Sequence, residues 1–154
     1  MTPPHNNTNS VLLKLLKTLA TLISVIILTP YTYIAALLGI YWAKRPTLSR
    51  FLVFFSALLL ADLTLPNHLG IYPLLFSINA AIAWTVISHT KRVRISALAI
   101  LIILTVIIEE VLGNLLVQIA LKQPIELTLY LSYGRTIITL LMFTLQSVYE
   151  RYRT

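Results

Sequence analysis

The sequence contains no cysteine, only four glycines and only five acidic residues among its 154 residues. The absence of cysteine excludes disulfides, thiolate catalysis and cysteine-ligated metals. No Walker-type loop, G-x-S-x-G or H-E-x-x-H pattern occurs, so the sequence indicates neither a phosphate-binding loop nor a catalytic motif. The three histidines, at positions 5, 68 and 89, are too far apart to predict a metal site. We therefore expect a protein that is not an enzyme and holds no cofactor or metal.

What the sequence does contain is apolar side chains. They make up 58% of the residues, charged residues make up 11%, and the mean hydropathy is +0.85. Water-soluble domains have about 25% charged residues and less than half apolar ones. This composition therefore predicts an integral membrane protein.

Prolines and short polar or basic stretches divide the apolar sequence into six segments. We expect helices at about residues 11–29, 31–43, 48–65, 69–88, 95–121 and 127–149, between a polar tail at residues 1–10 and a charged end at residues 151–154. These segments predict a single membrane domain, an all-α compact bundle of about six transmembrane helices. A cleaved signal peptide is the alternative for the first segment, but no small-x-small cleavage site follows it.

The placement of the basic residues predicts the orientation of this bundle. If the N-terminus is cytoplasmic, ten of the twelve Lys and Arg residues fall on the cytoplasmic side. They are Lys14, Lys17, Lys44, Arg45, Arg50, Lys91, Arg92, Arg94, Arg151 and Arg153. Because membrane proteins keep basic loops inside, we expect six spans with both termini in the cytoplasm. A single kinked helix formed by the first two segments would place the Lys44 group outside, against this rule.

Three charged residues stand out well inside the apolar segments, because a charge at mid-membrane costs roughly 2.5–3.5 kcal/mol on insertion scales. They are Glu109 and Glu110 in the fifth segment and Arg135 in the sixth. Asn114 and Gln118 follow Glu110 at steps of four residues and therefore share its helical face. These five residues form the predicted intramembrane polar group.

Glu110 and Arg135 are expected at similar depth, because a short loop joins their two helices and their distances from it differ by about three residues, or ~5 Å. An ion pair between Arg135 and Glu110 or Glu109 is therefore expected. One interpretation makes it a relay, a coupling site or a ligand-binding pair. The other makes it a structural pair that fixes the register of the helices.

Asp62 lies near the outer end of the third segment, just before the sequence Pro66-Asn67-His68. Aspartate in such a position commonly accepts hydrogen bonds from the first backbone amides of the next helix. We therefore expect Asp62 to cap the turn or helix that follows.

Over about residues 31–90 the sequence resembles the rod shape-determining protein MreD family. The matching residues are Tyr41-Trp42, Arg45-Pro46, Asp62-Leu63 and Leu69-Gly70. In that family an aromatic pair ends an apolar segment before a basic residue and a proline, and an Asp-Leu pair precedes a Leu-Gly pair that opens the next helix. The resemblance implies a non-enzymatic component of the bacterial cytoplasmic membrane that helps organise cell elongation and peptidoglycan synthesis.

The resemblance also implies partners and a fold. Proteins of this family associate with the bitopic protein MreC and connect MreB filaments to the cell-wall synthases. Asp62 and the Leu69-Gly70 turn would then lie near the periplasmic surface, where a partner docks. The basic loops at residues 44–50 and 91–94 would face lipid headgroups or cytoplasmic partners, or would only set the orientation. The helical core is expected to be similar to the substrate-binding subunits of vitamin transporters.

Two other functions stay open at this point. A substrate-binding membrane subunit of a small-molecule transporter would use Glu110, Asn114 and Arg135 to line a pocket. A transferase acting on lipid-linked substrates would need clustered acids or histidines, which the sequence does not show.

Overall fold

The structure, a computed structural model, describes residues 7–64, 70–89, 95–122 and 133–153. All regular secondary structure in these ranges is helical, as the composition predicted. The six helices are α1 (Asn7–Leu28), α2 (Ile34–Lys44), α3 (Leu48–Thr64), α4 (Ile71–His89), α5 (Ile95–Ala120) and α6 (Tyr133–Arg153).

The order and number of helices agree with the sequence prediction, and most of their ends lie within three residues of it. The prediction was wrong at two ends. α1 already includes Asn7, the first described residue, so the helix extends into the predicted polar tail. α6 continues to Arg153, beyond the predicted end, because Glu and Arg are good helix formers. Residues 127–132, where the sixth helix was predicted to begin, lie outside the described residues.

Three of these helices are long and apolar enough to cross a membrane. Their spanning segments are Val11–Leu28 in α1, Ile71–His89 in α4 and Leu98–Ala120 in α5. α2 is also apolar but has only 11 residues. At 1.5 Å per residue it is about 16 Å long, roughly half of a ~30 Å hydrocarbon core.

α2 lies at the centre of the packing, against α3, α4, α5 and α6. Its closest neighbour is α4, and the contact is made possible by Gly39. A β-carbon at Gly39 would lie 2.9 Å from the backbone nitrogen of Ala80 and 3.0 Å from the carbonyl carbon of Asn79. Small residues allow this kind of close approach between helix backbones, which is common in membrane proteins.

α1 has a different position, at the edge of the bundle. Only 6% of its spanning segment is buried, against 33% for the spanning segments of α4 and α5. The chain then turns inward, because Thr29, Thr32 and Tyr33 in the connection to α2 are completely buried. α2 therefore begins inside the protein, and its first turn needs hydrogen-bond partners there.

Candidate functional site

The first turn of α2 is capped by a side chain from α5. The first amides of a helix have no partner within the helix, and Tyr33, which precedes α2, makes no side-chain cap. The carboxylate of Glu109 supplies the acceptor, since its Oε2 lies 2.7 Å from the backbone nitrogen of Ala36. Glu109 is only 3% exposed. A negative charge here also complements the positive end of the helix dipole.

α6 contacts the same helix start through a hydroxyl group. The backbone amide of Tyr33 donates to Thr139 Oγ1 over 3.0 Å. The Thr139 hydroxyl in turn donates to the carbonyl oxygen of Arg135, 2.7 Å away, within α6. Thr139 therefore satisfies a buried backbone amide and joins α6 to the start of α2.

Arg135 supports the connection between α1 and α2 from the same side. Its Nη2 donates to the carbonyl oxygen of Thr32 over 3.1 Å. Its guanidinium carbon lies 4.5 Å from the centre of the Tyr33 ring, within the range of a cation–π interaction. Arg135 thus contacts the α1–α2 connection at two points, the backbone carbonyl of Thr32 and the aromatic ring of Tyr33.

Among the described residues, the expected direct ion pair between Arg135 and Glu110 or Glu109 is not formed. The charged groups instead meet around the start of α2. Arg135 lies within electrostatic reach of Glu109, but Glu109 accepts from the Ala36 amide. Arg135 donates to the Thr32 carbonyl oxygen and interacts with the Tyr72 side chain. Glu110 accepts a hydrogen bond from Asn114 Nδ2, one turn away in α5, at 3.3 Å. The shared face predicted for these two residues is confirmed, and Gln118, one turn further on, is half-buried.

A second helix start is capped in the same way. Asp62, at the end of α3, is 1% exposed, and its Oδ2 accepts a hydrogen bond from the backbone amide of Tyr72 at 3.2 Å. Tyr72 lies in the first turn of α4, so the capping predicted for Asp62 is confirmed. Gly70 precedes this turn with a φ of 81°, a conformation that glycine adopts without strain. Leu69 lies outside the described residues.

The two capped helix starts are neighbours. The side chain of Tyr72 lies within electrostatic reach of Arg135, Glu109 and Asp62. The beginnings of α2, α4 and α6 and the middle of α5 therefore meet in one buried polar cluster. Sequence reasoning found its charged members but missed Thr32, Tyr33, Tyr72 and Thr139. For Thr32 and Tyr33 the signal was the run of Thr and Tyr around Pro30, and no comparable signal in the sequence marked Tyr72 and Thr139.

The remaining residues of the family resemblance lie at the other end of α2, in its connection to α3. Trp42 Nε1 donates to the carbonyl oxygen of Thr47 over 3.0 Å and closes this connection. The backbone amide of Arg45 donates to the carbonyl oxygen of Trp42 at the end of α2. Arg45 and Pro46 are exposed, and so is Tyr41, whose ring centre lies 5.9 Å from that of Phe54.

The chemistry of the cluster follows from these contacts. Its carboxylates accept from backbone amides or from a neighbouring amide side chain, and its arginine donates to a backbone carbonyl. Among the residues that the structure describes, no group of three or more His, Cys, Asp or Glu side chains could hold a metal ion. The arrangement is suited to fixing where helices begin inside the bundle.

The fold and the cluster together define an all-helical protein with three helices able to cross a membrane and two internally capped helix starts. The chain matches no family model, and no curated protein and no solved structure is significantly similar to it.

Proposed function

We propose that this protein is a non-enzymatic, multi-pass component of the bacterial cytoplasmic membrane that works in cell elongation. In this proposal it binds a bitopic partner similar to MreC and helps to organise peptidoglycan synthesis and cell shape. Through its complex with this partner, the protein would be connected to the cell-wall synthases and to MreB-type filaments. Support comes from the resemblance to the MreD family, carried by Tyr41-Trp42, Arg45-Pro46, Asp62-Leu63 and Leu69-Gly70.

The observation that carries the proposal is the position of Glu109. In many transporters a helix that begins within the membrane points its N-terminus at an anionic group of the substrate. Here the corresponding place at the start of α2 is filled by the protein's own carboxylate, 2.7 Å from the Ala36 amide. This favours a bundle of fixed geometry, suited to holding partners, over an anion-binding subunit of a transporter.

The contacts also divide the residues of the resemblance into two groups. Asp62 is buried and holds the start of α4, so its proposed contribution is to shape the bundle. Tyr41, Arg45 and Pro46 are exposed next to the connection between α2 and α3. We assign Arg45 and Pro46 to the contact with a partner, on the side that the basic residues predict to be cytoplasmic.

The test is to purify the tagged protein in mild detergent and to identify every chain that is recovered with it by mass spectrometry. We expect a bitopic protein with a periplasmic coiled coil, together with cell-wall synthases. Arg45→Glu should reduce this recovery at least several-fold. The matched control is Leu48→Ala, at an exposed position in the same part of the chain.

Recovery of an ATPase pair with a membrane coupling subunit would contradict the proposal and would make the chain part of a transporter. Equal loss of the partner in both variants would contradict the assignment of the contact to Arg45, because it would point to a general disturbance of the α2–α3 connection.

A further inference from the structure

A groove of about 1130 Å³ runs along the bundle between α1, α2, α3 and α6. It exists because α1 lies at the edge of the bundle, where little of its surface is covered. Its walls come from side chains of all four helices, and it is separate from the polar cluster at the start of α2. None of the residues that form the cluster lines it.

The two ends of this groove differ in character. Three cations line the groove: Lys14 and Lys17, where the lining along α1 begins, and Arg50 in the first turn of α3. None of the described residues that line the groove is acidic. Arg50 makes a weak hydrogen bond of 3.4 Å to the carbonyl oxygen of Arg45, so among the described lining residues no carboxylate neutralises its charge.

The rest of the groove is lined mainly by apolar side chains, among them Leu28, Leu37, Val53 and Leu145. Along α1 the lining extends from Lys14 to Leu28. Fourteen residues of helix cover about 21 Å. One leaflet of a bilayer contributes about half of a ~30 Å hydrocarbon core, so the groove is long enough for an acyl chain.

We propose that this groove is a binding site for an anionic phospholipid. The phosphate of the headgroup is held by Lys14, Lys17 and Arg50, and an acyl chain lies along Leu37, Val53 and Leu145. The proposal rests on the membrane location of the chain and not on its role in cell elongation.

The charge distribution favours this occupant over the transmembrane helix of a partner. An apolar transmembrane helix that crossed the whole groove would place apolar side chains against three cations. An anionic lipid matches both ends, because its charge lies at the headgroup and its chains are apolar. Basic residues near an anionic membrane surface attract it strongly enough that three of them together change affinity by up to about a hundredfold.

The experiment uses the full chain, purified in a neutral detergent and freed of lipid. Phosphatidylglycerol and phosphatidylcholine with identical acyl chains are titrated against it, and inorganic phosphate is titrated separately. Bound lipid is counted by native mass spectrometry, and the melting temperature is recorded in parallel. We expect phosphatidylglycerol to bind about ten to a hundred times more tightly than phosphatidylcholine and to give the larger rise in melting temperature.

Two pairs of variants test the two ends of the groove. The triple variant K14Q/K17Q/R50Q should lose the preference for phosphatidylglycerol, whereas K91Q/R92Q/R94Q, which removes the same number of cations from a different part of the sequence, should keep it. Leu145→Trp should weaken the binding of both lipids by filling the apolar part. Leu141→Trp, at an exposed position one turn away on α6 that does not line the groove, should not.

Equal binding of the two lipids, or equal loss of preference in both triple variants, would overturn the proposal in favour of diffuse surface charge. Stabilisation by inorganic phosphate equal to that by phosphatidylglycerol would show a site for free anions instead. If Leu145→Trp abolishes recovery of the protein partner and leaves lipid binding intact, the groove belongs to the partner. None of these results depends on whether the partner resembles MreC.

Discussion

The carboxylate of Glu109 accepts a hydrogen bond from the backbone amide of Ala36, 73 residues earlier in the chain. One long helix thereby caps the start of another helix inside the bundle. The same device recurs where Asp62 accepts from the amide of Tyr72 at the start of α4. In an apolar environment a helix start without such acceptors would leave several amides unsatisfied, each at a cost of several kcal/mol. These two acidic residues therefore compensate for helices that begin within the protein.

Replacement of Glu109 should destabilise the protein more than replacement of the adjacent Glu110. Glu109→Ala leaves the Ala36 amide without its acceptor and should lower the free energy of unfolding by about 1–3 kcal/mol. Glu109→Gln keeps an oxygen but loses the charge facing the helix dipole, so its cost should be smaller, about 0.3–1 kcal/mol. Unfolding is followed by circular dichroism as the fraction of denaturing detergent rises.

Glu110→Ala is the matched control for this measurement. Glu110 is also buried, but it accepts from Asn114 within the same helix and interacts with the side chain of Tyr33, not with a backbone amide of α2. Its removal deprives no other helix of a cap. A loss of stability in Glu110→Ala as large as that in Glu109→Ala would contradict the importance of capping between helices.

Gly39→Ala should separate α2 from α4. The added methyl group would lie 2.9 Å from the Ala80 backbone nitrogen, and a backbone atom cannot move aside as the end of a flexible side chain can. We expect a loss of about 1–3 kcal/mol in the free energy of unfolding, which is typical of overpacking.

Gly113→Ala provides the comparison in α5. There the nearest atom to the new methyl group is Leu75 Cδ1 at 3.5 Å, an ordinary contact. Alanine is favoured over glycine in a helix by up to about 1 kcal/mol, so this variant should be as stable as the original protein or more stable. If Gly39→Ala and Gly113→Ala have the same free energy of unfolding, the close packing of α2 on α4 at Gly39 is wrong.

Trp42→Phe should loosen the connection between α2 and α3. The ring stays apolar, but the hydrogen bond from Nε1 to the Thr47 carbonyl oxygen is lost, at a cost of about 0.5–1.5 kcal/mol. Local opening would then make the peptide bond after Lys44 more accessible, and trypsin should cleave there several-fold faster. Cleavage is quantified by mass spectrometry of the detergent-solubilised protein.

Trp84→Phe serves as the control, since Trp84 is exposed on α4. It should leave the rate of cleavage after Lys44 unchanged. An unchanged rate in Trp42→Phe as well would mean that the indole hydrogen bond does not hold this connection closed.

The sequence predicts the helices of this protein well because apolar length and breaking residues are local properties. Asp62 was also assigned correctly, since it caps the next helix along the chain, through an amide ten residues away. The acceptor for Ala36 was not foreseen. The depth of Glu109 can be counted from the ends of its helix, but the direction in which it faces depends on how α5 is rotated against α2.

The pairing of Arg135 illustrates the same limit. Its depth suggested a glutamate as partner, yet its hydrogen bond goes to the carbonyl oxygen of Thr32. The Thr32 carbonyl oxygen, in the α1–α2 connection, lies within hydrogen-bond distance of the guanidinium, whereas Glu109 accepts from the Ala36 amide. Only the three-dimensional course of that connection reveals that the carbonyl is there.

The orientation of the bundle can be tested with single cysteines, because the natural chain has none to give a background signal. Thr47 and Thr64 are exposed at opposite ends of α3, which at 17 residues is about 26 Å long. With basic residues inside, Thr64→Cys should react with a membrane-impermeant maleimide in intact bacterial cells, and Thr47→Cys only after permeabilisation. Labelling of Thr47→Cys in intact cells, and of Thr64→Cys only after permeabilisation, would mean that the orientation is the reverse of the predicted one. Labelling of both positions from one side would mean that α3 does not cross the membrane, and the six-span arrangement would then be wrong.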